Sequence, residues 1–129
     1  MAGQLREEQQ VTRPKVMKVD SVETWDSHVS QATNQGRPII AHFTASWCMP
    51  SVAMNSFFEE IASDYPDVLF LTVDVDEVKE VATRLEIKAM PTFSLIRDGA
   101  TVDKLVGANP EEIRKRIECF FQSRRADVA

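Results

Sequence analysis

The stretch "PIIAHFTASWCMPSVAM", residues 38–54, passes from one kind of local structure to another within a few positions. Its first part, Pro38 to Ala45, is nearly continuous apolar sequence, the mark of a strand buried on both faces and therefore often parallel to its neighbours. Beyond it, Met54, Phe57, Phe58, Ile61 and Tyr65 recur at helical spacing, so a long amphipathic helix follows. Cys48 falls at the junction, and Pro50 suits a first helical turn because it gives up no needed donor. Unpaired N–H groups and the positive end of a helix dipole at such a place favour a reactive sulfur.

Outward from this junction the pattern repeats. "VMKVD" (16–20) reads as a short strand, and Asp20 with Glu23 resembles a capping box that opens a helix. The apolar residues of that helix, Val22, Trp25, Val29 and Ala32, share one face, which assigns Trp25 to core packing. Gly36 and Pro38 end it. "VLFLTVDV" (68–75) is a second buried strand, and Val78, Val81, Ala82 and Leu85 mark a short helix after it. Two further runs flank Asp98-Gly99, a hairpin signal. Asn109, Pro110 and the acids that follow give the last helix its N-cap, first position and first turn. The order β-α-β-α-β-α-β-β-α implies an α/β fold: a mixed sheet flanked by helices on both faces.

A chain of 129 residues is one domain, divided here as a flexible polar extension (1–15), a folded domain (16–122) and a tail (123–129). A net charge of −5 disfavours nucleic acid as a partner. The basic side chains near the ends, Lys15, Lys18, Arg124 and Arg125, read as solvated. No segment has the length of a membrane span, and "MAGQLREEQQVTRP" does not read as a signal peptide, so a cytoplasmic, reducing location is expected. Two cysteines far apart form no disulfide framework.

In this order and spacing, "FTASWC", "FFEE", "VDVDE", "AMPTF" and "LVGA" resemble the thioredoxin family, closest to the plant h-type members and, within those, to the Cys-x-x-Ser type. The likeness runs from about residue 16 to 122. It implies the thioredoxin fold, no cofactor or metal, and protein substrates carrying disulfides or thiols. It further implies that Cys48 is the attacking cysteine, with Trp47 beside it. Met90–Pro91 should be a cis bond packed against Cys48, with Met90, Gly107 and Ala108 along the substrate backbone. Met49 and Pro50 complete the substrate-binding rim.

Several residues depart from the family pattern. Ser51 replaces the resolving cysteine, Met49 and Val52 a glycine and a lysine, and Ser56 a helix-kinking proline. His42 stands where the family has a buried acid, and Thr72 where it often has a lysine.

Reduction of a client disulfide takes two electrons, hence two enzyme thiols or an outside donor; isomerisation takes none. A single thiol that attacks and leaves readily is therefore expected to shuffle disulfides more than it reduces them. Ser51 is expected to donate its hydroxyl to the Cys48 sulfur. His42 reads first as a hydrogen-bonded core histidine and second as a proton carrier near Cys48. Cys119 points away from the apolar face of its helix and reads as an incidental surface thiol. Asp74, Asp76 and Glu77 fit no cation loop and read as solvated turn and helix cap. Two other readings stand beside the isomerase: a holdase that uses the same groove without turnover, and glutathione-dependent exchange, with glutathione as reductant.

Overall fold

The computed structural model describes residues 15–128, with residues 122–128 described by their backbone alone. The expected N-terminal extension lies, but for Lys15, outside the described residues, as do the side chains of Arg124 and Arg125.

The elements are β1 (Val16–Val19), α1 (Val22–Gln35), β2 (Ile39–Thr44), α2 (Met49–Asp64), β3 (Leu69–Asp74), α3 (Lys79–Arg84), β4 (Thr92–Arg97), β5 (Ala100–Val106) and α4 (Pro110–Val128). Helix α4 continues past residue 122, where the sequence reading closes the domain. One five-stranded sheet has the order β1-β3-β2-β4-β5, with β3 parallel to β1 and β2, and β4 antiparallel to β2 and β5. The near-continuous apolar strands are the central ones: every residue of β2 from Ile39 to Phe43 is buried.

Alternation along the strands divides the core in two. One face sets Ile40, Phe70, Phe93 and Leu95 against Met54, Phe58 and Ile61 of α2 and Ile113 and Ile117 of α4. The other sets Ile39, Phe43, Leu71 and Val73 against Trp25 of α1 and Val81 of α3. Trp25 is buried with its ring 6.1 Å from that of Phe43, the core position expected of it. Each large side chain so buried contributes about 1.5–3 kcal/mol by area removed from water.

The helix starts show local chemistry at work. The cap of α1 is Ser21, not Asp20: Ser21 Oγ accepts from the Thr24 N–H at 3.1 Å. Asp20 instead accepts from the Thr24 hydroxyl, because the extended backbone at Ser21 turns that side chain onto the free N–H groups. Asn109 caps α4 through the Glu112 N–H at 3.2 Å. Asp98 and Gly99 both have positive φ, the conformation a two-residue hairpin turn demands, and they join β4 to β5. Helix α2 runs as one element through Ser56.

Candidate active site

Cys48 is the N-cap of α2, one residue outside the first turn, and it is half-buried. Its side chain does not cap the helix. The reason lies in the second and third residues of the helix. Pro50 has no N–H to offer, and the Ser51 N–H is bonded to the Cys48 carbonyl at 3.1 Å, as is that of Val52. The sulfur turns instead towards the loop before β4, where Cys48 Sγ donates to the Met90 carbonyl at 3.5 Å. Met90–Pro91 is cis, as the resemblance implies, and Pro91 is buried.

Ser51 corrects an expectation. Its hydroxyl makes no bond to the Cys48 sulfur. It accepts from Thr44 Oγ1 at 2.9 Å and from the Ala45 N–H at 3.3 Å. Its own proton has two carbonyls within reach, Cys48 at 2.9 Å and Ala45 at 3.2 Å, and the Cys48 carbonyl is the nearer. Ser51 is fully buried, and at helical spacing its side chain turns back over the preceding turn rather than outward. The hydroxyl thus stitches the end of β2 to the start of α2. A neutral O–H suits a place ringed by backbone carbonyls, where an unpaired donor would be costly.

His42 is a second correction. It is buried, as expected, but neither ring nitrogen has a hydrogen-bond partner. The ring stacks on Phe93 at 4.5 Å with an 8° tilt, and lies 5.2 Å from Phe58. Burial lowers its pKa from 6.5 to about 4, so the imidazole is neutral near pH 7. No hydrogen bond links it to Cys48 or Ser51, and none carries a proton between them.

The surface around the sulfur is apolar and exposed. Trp47 is 64 % and Met49 70 % exposed, on either side of Cys48. Trp47 is held in place by its indole N–H, which donates to Asp76 Oδ2 at 2.7 Å. Across from them, the Gly107 N–H donates to the Pro91 carbonyl at 3.0 Å. Gly107 has φ +120°, which side-chain-bearing residues rarely adopt, and it leaves Val106 and Ala108 exposed beside it.

Sequence reasoning missed two residues here. Asp76, read as part of a solvated turn, holds Trp47, and Thr44 bonds Ser51; neither partner is visible without the fold. Asp74 does form the expected turn, accepting from the N–H groups of Asp76 at 2.8 Å and Glu77 at 3.4 Å. Cys119 is exposed on α4, as expected, and Lys18 lies on β1 paired with Glu77 at 3.4 Å.

The profile of the family Thioredoxin matches residues 16–119, the span of this sheet and its helices. The chain belongs to the thioredoxin family. This thioredoxin-family chain is 66% identical over 111 residues to the Thioredoxin-like protein CXXS1 of Arabidopsis thaliana, covering 86% of this chain and 94% of that one. It is 48% identical over 120 residues to the Thioredoxin-like protein CXXS1 of Oryza sativa subsp. japonica, covering 93% and 90%. Among solved structures, a poplar wild-type thioredoxin h superposes with a TM-score of 0.80 at 40% identity, covering 83% of this chain and 96% of that one. The thioredoxin fold and thiol–disulfide oxidoreductase class follow. Among the described residues no helix is long and apolar enough to cross a membrane.

Proposed function

We propose that this thioredoxin-family oxidoreductase works through Cys48 alone and chiefly isomerises protein disulfides, with weak reductase activity. The observation that carries the reading is the occupant of the resolving position. Ser51 is buried and its hydroxyl is engaged by backbone and Thr44, so no second thiol stands beside Cys48.

The Cys48 thiolate attacks one sulfur of a client disulfide, forms a mixed disulfide and releases the other client sulfur as a thiolate. A client thiolate then attacks the mixed disulfide at the client sulfur, forms a new client disulfide and returns Cys48 as thiolate. One S–S bond forms and one breaks in each step, and no net electrons move. With a cysteine at 51, intramolecular attack would compete and eject the client reduced. Ser51 removes that exit while keeping the start of α2 in place.

Trp47, Met49, Pro50, Met90, Pro91, Gly107 and Ala108 form the client-binding rim in this reading. Glutathione serves as the outside thiol that clears an adduct when the client has none free. The cytoplasm, kept reducing, suits a site that must remain a thiol.

A second reading, a holdase, draws support from the exposed Trp47 and Met49. Scrambled ribonuclease and insulin separate the two. The isomerase reading expects ribonuclease activity to be restored by the wild type and lost in Cys48→Ser, with slow insulin reduction in the presence of thioredoxin reductase. Client protection that survives Cys48→Ser, without any ribonuclease reactivation by the wild type, favours the holdase. Rapid insulin reduction in the absence of glutathione contradicts the single-thiol mechanism.

A further inference from the structure

Thr92 opens β4, and strand pairing fixes its backbone on both sides, against Phe43 of β2 and Val106 of β5. It is buried, and its side chain reaches back to the preceding loop, where Oγ1 donates to the Ala89 carbonyl at 2.6 Å. Two residues on, the Pro91 carbonyl accepts from the Gly107 N–H at 3.0 Å. The Met90 carbonyl lies between these two tied peptides. Peptide units are rigid planes and proline has a fixed φ, so little freedom is left to it.

That carbonyl is the acceptor for the Cys48 thiol at 3.5 Å, and among the described residues the sulfur has no other hydrogen bond. A thiol is a weak donor and cannot hold a peptide in place. A carbonyl tied by stronger bonds on either side can hold the thiol. The order of control therefore runs from the sheet through Thr92 to the loop, and from the loop to the sulfur.

We propose that Thr92 is a positioning residue for Cys48: its hydroxyl sets the place of the Met90 carbonyl, and through it the direction in which the sulfur meets a client disulfide. Displacement at sulfur needs the attacking and leaving sulfurs in line, so a sulfur free to turn spends part of its time misdirected. The inference rests on the reading of Cys48 as the attacking thiol.

The test is Thr92→Val, which keeps the branched shape and the strand preference and removes only the hydroxyl. Thr92→Ser keeps the hydroxyl. Both are made beside Cys119→Ser, an exposed site, so that Cys48 carries the one S–H group, and urea unfolding checks that each is folded. The readouts are the infrared S–H stretching band of Cys48 and the initial rate at which it forms a mixed disulfide with scrambled ribonuclease. In Thr92→Val the band should move to that of an unbonded thiol, and the rate should fall roughly three- to tenfold, the worth of one neutral hydrogen bond. Alkylation by iodoacetamide, small enough to approach from any side, should change less than about twofold by the same geometric argument. Thr92→Ser should restore both band and rate. An unchanged band or rate in Thr92→Val overturns the proposal, as does a loss that Thr92→Ser does not restore or that iodoacetamide shares. A band of unbonded thiol with Thr92 in place overturns it without any change at that residue. If Cys48 with Thr92 in place forms no adduct at all, the reading of Cys48 as attacking thiol fails instead, and the band alone then decides whether Thr92 positions the sulfur.

Discussion

The hydroxyl of Ser51 lies 2.9 Å from the backbone carbonyl of Cys48 and is engaged there, not at the Cys48 sulfur. The residue at the resolving position therefore fixes the shape of the active-site turn and leaves the sulfur's chemistry to the helix terminus and the Met90 carbonyl. Ser51→Ala strands Thr44 Oγ1 and the Ala45 N–H and should cost about 1–3 kcal/mol in urea unfolding. Alkylation of Cys48 by iodoacetamide at pH 7 should change by less than about twofold, because no bond to the sulfur is lost. A tenfold drop in alkylation with stability unchanged would show that the hydroxyl serves the sulfur after all.

His42 sets a pH dependence. Its folded pKa of about 4 lies below the 6.5 of free imidazole, so as pH falls the unfolded chain takes up the proton first. The stability it contributes is whole above pH 6.5 and is lost as pH falls towards 4, to a total on the order of 3 kcal/mol. Denaturant unfolding of the wild type and of His42→Leu from pH 7 to 4.5 should show this slope in the former only. Equal slopes would contradict a buried neutral imidazole.

Asp76 acts on the active site through Trp47. Asp76→Asn weakens a charge-assisted bond of 2.7 Å to an exposed indole, so global stability should move by less than about 1 kcal/mol. Trp47 would lose its fixed orientation beside Cys48. The expected result is a rise in client KM of roughly two- to tenfold, the worth of one hydrogen bond, with kcat close to wild type. An unchanged KM would remove Trp47 from the client-binding rim.

Gly107 tests the opposite wall. At φ +120° a side chain is strained whatever the space around it, so Gly107→Ala should destabilise by about 1–3 kcal/mol. Displacement of its N–H from the Pro91 carbonyl should also slow client exchange. Thermal unfolding and ribonuclease reactivation measure the two effects, and a variant with wild-type values in both would show that this backbone can relax freely.

The fold was legible because its signals are local and periodic. The apolar run of Pro38 to Ala45 and the helical spacing from Met54 to Ile61 give β2 and α2 directly, and Asp98-Gly99 gives the hairpin. The cap of α1 was displaced by one residue because Asp20 and Ser21 are both good caps, and the backbone angle at Ser21 decides between them. The sulfur's place at the start of α2 was legible for the same reason, as Pro50 marks the turn. What surrounds it was not. Asp76 meets Trp47 from 29 positions away, and His42 is stacked on Phe93 from the antiparallel strand beside it. Side-chain direction within one turn also escaped the sequence: spacing puts Ser51 near Cys48, but only the fold shows that the hydroxyl faces carbonyls.

The central claim, that Cys48 both takes and returns its client unaided, is tested most directly by the lifetime of its mixed disulfide. Wild-type protein is mixed with scrambled ribonuclease, quenched with acid at intervals and weighed by mass spectrometry, with and without added reduced ribonuclease as the source of client thiols. An adduct at Cys48 that forms early and decays faster when client thiols are present, with the free Cys48 thiol recovered, is the predicted result. An adduct that accumulates to one per protein and persists in the presence of those thiols would contradict it.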